Sequence, residues 1–449
     1  MITNMKRTII ALLAAFAALS FSSCVRDEEP IFEESASVRL QNALKNAHSV
    51  LVSAENGWRM YYYPDPNQSY GGYLYTMKFT EEEVEVWSEL FDDSSKSLYK
   101  MATDDGPVLS FDTNNYNFHF FATPSGSSRN LYGVSERYQG YKGDFEFLIV
   151  SATKDEVVLK GKRSGNRIVM YPLAAGETPE QVANDAYECS ESLFVSMFDG
   201  TIGSDNASVY VSLSDRWISI ELVGEKYADA DDAYAEAPFA FSEDGLLFYK
   251  PVKVGPYTIS GFTWDLDTQS LVALPGAETS ASLKGKLPEG WHAYEDFLGT
   301  YTLTWYNGAR TLADIKIEEK EYKKSFTVKG ISKVFDMTAT YDLSSGTIGL
   351  CAQSVGSESA YSVFTAAWSA FGSSNLTWDT SIGMTGKMSE DGNSIAWGDN
   401  GVWGGGNTVD SFIIWYATSA GSVGQGAAPW LFANGSTQLY GWVSFDRQQ

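Results

Sequence analysis

The chain has 449 residues, 44% of them hydrophobic and 14% aromatic, enough for two or three well-filled domains of about 100 to 200 residues each. Asp and Glu number 57 against 32 Lys and Arg, a net charge of −25, which argues against nucleic-acid binding because phosphate contacts need clustered cations. Three cysteines exclude a disulfide framework.

Lys6 and Arg7 precede an apolar run from Ile9 to Leu19, and the small pair Ser22-Ser23 stands directly before Cys24. That order is a charged n-region, an apolar h-region and a small-residue cleavage site, so residues 1–23 read as a signal peptide. A cysteine placed there resembles a lipobox, with Phe21 where Leu is usual. The resemblance implies that Cys24 becomes the lipid-bearing N-terminus. Val25-Arg26-Asp27-Glu28-Glu29 is similar to the acidic tag of Bacteroidota lipoproteins carried on the outer face of the outer membrane. A spanning anchor is disfavoured, because Thr8 to Phe21 falls short of the roughly 20 apolar residues a transmembrane helix needs. Residues 24–34, acidic and containing Pro30, read as a tether.

Leu40, Ala43, Leu44, Ala47, Val50, Leu51 and Ala54 recur at helical spacing, with Ser35 as cap and Asn56-Gly57 as stop. Strands are expected from Tyr73 to Phe79, Val84 to Trp87, Val108 to Phe111 and Phe118 to Phe121. A meander then runs through Phe145 to Val150, Val157 to Lys162 and Arg167 to Tyr171. Thr178-Pro179-Glu180 opens a second helix, expected to reach Phe198 before Asp199-Gly200 ends it. Further strands run from Val209 to Leu274, and the Pro, Gly and Ser-rich stretch from Pro275 to Gly290 reads as a linker. Beyond it lie strands at Gly299 to Trp305, Ile315 to Ile317, Phe326 to Lys329, Met337 to Tyr341, Ile348 to Cys351 and Phe412 to Tyr416.

The expected fold is mainly β, with antiparallel sandwich or barrel-like domains and two amphipathic helices. Its regions are 35–172 and 178–275, each a helix followed by sheet, then a linker at 276–290 and a C-terminal β-domain at 291–449. With Cys24 lipidated, Cys189 and Cys351 are expected as free thiols in preference to one disulfide.

Several stretches resemble a known family. They are Asn56-Gly57-Trp58 through Tyr61-Tyr62-Tyr63-Pro64, Ser69-Tyr70-Gly71-Gly72-Tyr73, and Gly106-Pro107-Val108-Leu109-Ser110-Phe111-Asp112. Gly143-Asp144-Phe145-Glu146-Phe147 and Leu159-Lys160-Gly161-Lys162 belong with them. Together they resemble the domain-of-unknown-function 4302 family of Bacteroidota surface lipoproteins. The resemblance implies a lipid-anchored surface protein similar in setting to accessory parts of nutrient-uptake systems built on a TonB-dependent transporter. It brings no catalytic residues.

Chemistry is sparse. His48, His119 and His292 lack ligand spacing or a G-x-S-x-G companion, and His292 with Glu295 and Asp296 makes at most a partial metal site. Asp92-Asp93, Asp104-Asp105 and Asp231-Asp232 read as solvated charge before they read as a glycosidase pair. Asp391-Gly392-Asn393 and Asp399-Asn400-Gly401 read as turns in preference to a Ca²⁺ loop. No catalytic residue, metal or cofactor is assigned. Nine of the thirteen tryptophans follow Pro288, and Trp397, Trp403 and Trp430 lie in Gly-rich surroundings. An exposed indole suits the face of a sugar ring, so these three are the candidate ligand-binding residues; the competing reading puts them in the core or a protein interface. The function expected is that of a non-catalytic binding or accessory component of a nutrient-uptake system, with glycan as the first ligand class, a structural role in an envelope or transporter complex as the alternative and a hydrolase behind both.

Overall fold

The computed structural model describes residues 34–104, 106–123 and 140–448; the segment expected as a signal peptide, Cys24 and Asp105 lie outside them. Among the described residues there are three α-helices, α1 (Ala36–Ser53), α2 (Tyr116–His119) and α3 (Pro179–Ser192), and the rest of the regular structure is essentially antiparallel strand.

Helix α1 starts where Ser35 accepts the Val38 N–H, and it buries Ala47, Val50 and Leu51 against a nine-stranded sheet. Trp58, the first residue of that sheet, is fully buried and its indole N–H donates to Leu51 O at 2.8 Å. The sheet has an unusual closure. Its two outermost strands, Phe91–Leu98 and Lys100–Thr103, are consecutive in the chain with only Tyr99 between them. The sheet is therefore curled into a barrel that stays open along one seam. The stretch before α2 fills the seam: Asn115 Nδ2 donates to Ser95 O at 3.0 Å, and Leu98 N–H donates to Thr113 Oγ1 at 2.8 Å. Phe118 to Phe121 were expected as strand. Phe118 and His119 are helical instead and Phe120 and Phe121 follow as turn, because Asn115 caps the helix by accepting the Phe118 N–H, which drops Phe118 into the sheet's core.

Residues 197–285 form a closed eight-stranded meander barrel, its first strand Met197–Ile202 pairing with its last, Ala281–Gly285. Each strand sends one fully buried side chain inward: Phe198, Val209, Ile220, Phe239, Leu246, Phe262, Leu271 and Leu283. Two expectations are corrected here. Residues 281–285 are the closing strand and not linker, since period-2 burial of Leu283 and Gly285 outweighs the local Gly and Ser content. The second helix ends at Ser192 and not near Phe198, because from Leu193 onward the apolar period changes from helical to alternating. Gly200 is a closure residue: a Cβ there would stand 2.0 Å from Ser282 O.

A second closed barrel runs from Gly299–Trp305 to its pairing partner Ser444–Arg447. Between its fifth strand, Thr347–Cys351, and its sixth, Gly383–Met388, the chain begins a separate six-stranded sheet, completed after the seventh strand by Ser411–Thr418, Gly421–Gln425 and Gln438–Leu439. Both units are barrels, so the sandwich alternative is not the one adopted. Helix α3 lies between the nine-stranded sheet and the first barrel, with Thr76 Oγ1 donating to Pro179 O at 2.7 Å.

Candidate functional site

The first strand of the second barrel ends at Trp305 and re-enters at Arg310. The turn between them holds two side-chain-bearing residues in the left-handed region, Tyr306 at φ +53° and Asn307 at φ +52°. That conformation costs roughly 1–2 kcal/mol for a residue such as Tyr, so something must impose it. Two backbone bonds from the Tyr440-Gly441 segment do so: Tyr306 N–H donates to Tyr440 O at 2.9 Å, and Asn307 N–H donates to Gly441 O at 3.3 Å. Gly441 is itself left-handed at φ +53°, and a Cβ there would press within 2.8 Å of Phe371 Cε2.

A third segment completes the site. Asp410 accepts the N–H groups of Ala370 and Phe371 at 2.9 and 3.0 Å and the hydroxyl of Ser411 at 2.6 Å, which fixes the loop after Trp368. The result is an aromatic rim centred on Tyr440, with ring centroids 4.9 Å away at Trp368, 6.4 Å at Phe371 and 6.5 Å at Tyr306. Phe371 is 54% exposed and Tyr306 45%. Amides flank the rings: Asn375 Nδ2 and Ser373 Oγ both donate to Asn407 Oδ1, and the Asn307 side chain is exposed. The Arg310 guanidinium lies 5.1 Å from the Tyr306 ring and 5.3 Å from that of Trp305. Apolar faces beside amides and a cation suit a ligand that is itself part apolar and part hydroxylated. The Asp410 carboxylate is engaged by backbone N–H groups.

Residues 28–266 match the family described as Domain of unknown function (DUF4302). The chain belongs to the DUF4302 family. The DUF4302 match spans the nine-stranded sheet, α3 and the first barrel up to its sixth strand, Tyr257–Asp265. A second family described as a domain of unknown function, DUF4987, matches residues 276–415, which include Tyr306, Trp368 and Phe371 of the rim. No curated protein matches the chain. Among solved structures, transferrin binding protein B from Haemophilus parasuis is 9% identical, with 87% of this chain and 74% of that chain covered and a TM-score of 0.12. Transferrin binding protein B from Neisseria meningitidis is 10% identical, with 87% and 76% covered and a TM-score of 0.12. The DNA polymerase III β subunit from Thermotoga maritima is 8% identical, with 72% and 94% covered and a TM-score of 0.11. Likeness at that level carries no argument about fold or function.

The structure relocates the tryptophans that the sequence singled out in this DUF4302 protein. Trp397 is not a surface platform. It sits in the strand Ser394–Asp399, 8% exposed, with its ring against Trp442 and Phe445 at 5.9 and 5.1 Å. Strand alternation turns Ile395 and Trp397 into the barrel, and the Gly-rich run begins only after them. Trp430 is half-buried, stacked on Phe335 and laid against the Gly356 backbone, where a Cβ would come within 2.3 Å of its ring. Trp403 is half-buried against the second barrel, in the loop that Asn407 ties to the rim. Of the rim, sequence reasoning noted Trp368 only as one of nine and missed Tyr306, Phe371 and Tyr440. The Trp305-Tyr306-Asn307-Gly308 turn was the available signal.

The other candidates are dispersed. His48 Nε2 faces Glu81 O, His119 Nδ1 faces Asn115 O, and His292 Nδ1 lies 3.3 Å from Asp296. Among the described residues no three His, Cys, Asp or Glu side chains converge to hold a metal ion. Asp92, Asp93, Asp231 and Asp232 are exposed, and Asp104 pairs with Lys162. Cys189 and Cys351 are unbonded thiols, the first pushed up to about 12 by burial. A second concavity of about 770 Å³ opens between α3 and the second barrel, with Asp185, Glu188 and Glu191 of α3 facing Lys323 and Lys324.

Proposed function

We propose that the protein is a lipid-anchored component of the outer face of the outer membrane that binds glycan without transforming it, as part of a nutrient-uptake system. The order of charged, apolar and small residues before Cys24 supports the anchor. The binding role rests on one observation: a solvent-facing aromatic rim held in place by a strained turn. Natural chains spend backbone strain where a side chain must be presented, and here the side chain is Tyr306. Tyr306 and Phe371 are the exposed rings and both stand edge-on to Tyr440, so a sugar ring would stack its C–H face on one of these two and turn its hydroxyls to Asn307 and Asn375. Trp403 is a flanking contact in this proposal, while Trp397 packs inside the second barrel and Trp430 packs on Phe335.

The test is retardation of residues 25–449 on native polysaccharide gels. The protein should be retarded on at least one, and Trp368→Ala with Phe371→Ala should abolish the effect while Trp430→Ala changes it less. Free migration through a broad panel removes the proposal. A structural role beside an envelope or transporter complex is the second reading, favoured by the charged concavity between α3 and the second barrel. Crosslinking on intact cells followed by pull-down would then recover a stoichiometric partner.

A further inference from the structure

The rim's cation faces no anion. Arg310 is exposed, its guanidinium is placed against Trp305 and Tyr306, and among the described residues no carboxylate lies within ion-pairing distance of it. The two arginines at the joint between the nine-stranded sheet and the first barrel are treated differently. Arg59 is shared by Glu177 and Glu243 at 2.8 and 2.6 Å, and Arg216 is held by Glu89 at 2.8 Å. Acidic side chains outnumber basic ones 57 to 32, so partners for Arg310 were abundant in the composition, while Asp410 of the rim is bound to the backbone of Ala370 and Phe371.

Resting against aromatic rings, a guanidinium keeps N–H groups on its edge free to donate in its own plane. That geometry fits a carboxylate, which accepts two parallel N–H bonds. Arg310 also directly follows the strained turn, so a group stacked on Tyr306 lies beside its N–H edge. We propose that the ring taken by this rim carries a carboxylate, as a uronic acid does, and that Arg310 receives it. The proposal rests on the glycan reading and narrows it to acidic chains.

Three probes separate the outcomes: oligogalacturonate for carboxylates, carrageenan oligosaccharides, which carry sulfate but no carboxylate, for sulfates, and cello-oligosaccharides for neutral rings, each titrated calorimetrically into residues 25–449. Oligogalacturonate should bind at least about tenfold more tightly than the neutral chain, the scale of one charge-assisted hydrogen bond, and weaken as salt rises. Arg310→Gln should bring its affinity down to that of the neutral chain, and Arg310→Lys should restore only part, because an ammonium lacks the planar fork. Unchanged thermal melting would show that both variants fold. Equal binding of acidic and neutral chains, indifferent to Arg310→Gln, overturns the carboxylate and leaves the glycan reading standing. A preference for the carrageenan oligosaccharides alone overturns it in favour of sulfate. Loss of all binding in the Trp368→Ala, Phe371→Ala double variant, set against wild type that binds, confirms that the same rim is being read; no binding of any probe by wild type overturns both readings.

Discussion

Arg216 of the first barrel reaches into the nine-stranded sheet and closes on Glu89, with contacts of 2.8 and 3.2 Å and side-chain exposures of 11% and 0%. The same guanidinium donates to Gly72 O at 2.7 Å and lies 3.9 Å from the Tyr73 ring, while Glu89 also accepts the Leu74 N–H. The joint between the two N-terminal units is thus a desolvated ion pair in which both Glu89 oxygens and both terminal Arg216 nitrogens are engaged.

Removing one partner of such a pair strands the other. Glu89→Ala should destabilise the protein by about 3–5 kcal/mol in urea unfolding, much more than an exposed pair such as Lys329–Glu318 contributes. Adding Arg216→Met should recover part of that loss. A cost below about 1 kcal/mol for Glu89→Ala alone would show that the joint is solvated.

Tyr306 separates stability from binding. Tyr306→Gly relieves a left-handed backbone worth roughly 1–2 kcal/mol and gives back about 0.5–1 kcal/mol through the freer unfolded chain. Thermal melting should therefore shift little, while retention on polysaccharide gels falls. Severe destabilisation would mean that the ring is a packing element and the rim is not a platform.

Asp391 sets a pH dependence. The Ser389 hydroxyl first, then Asn393, hold its carboxyl at about 2, below the ordinary 3.8. A depressed folded-state pKa contributes stability above the unfolded value and loses it as pH falls through the folded one. Asp391→Asn should lower the urea midpoint at pH 5, and the gap to wild type should close between about pH 4 and pH 2. A gap that stays constant over that range would remove the charge from the explanation.

Barrel closure makes a prediction about where the chain can be cut. A chain ending at Leu274 lacks the closing strand Ala281–Gly285 and exposes the core around Leu283, so it should aggregate. One ending at Gly290 keeps the strand and should stay monomeric by gel filtration. Equal behaviour of the two would contradict closure through Leu283.

Local signals carried the strands and both long helices, because alternation at Tyr73 to Phe79 and the caps at Ser35 and Thr178 each need only a short window of chain. What escaped was set by distant partners. Residues 281–285 look like linker until Phe198 and Leu271 are beside them, and Trp397 looks exposed until Trp442 and Phe445 close over it. The rim is the extreme case, since Tyr306, Phe371 and Tyr440 come from three segments that only the barrel and its inserted sheet bring together. Its one local clue, a Tyr-Asn pair in a hairpin turn, reads as ordinary turn chemistry without the strained φ angles.

The seam at Tyr99 has a consequence for self-association. Exposed β-edges are the usual templates on which a second chain adds its own strand, and nine strands ought to leave two of them. Here both borders spring from the same residue, and the Thr113 and Asn115 side chains occupy donors and acceptors along one of them. Along Phe91–Leu98 an incoming polypeptide meets backbone groups already taken by side chains, so the single-residue bend leaves that border a poor template for runaway polymerisation.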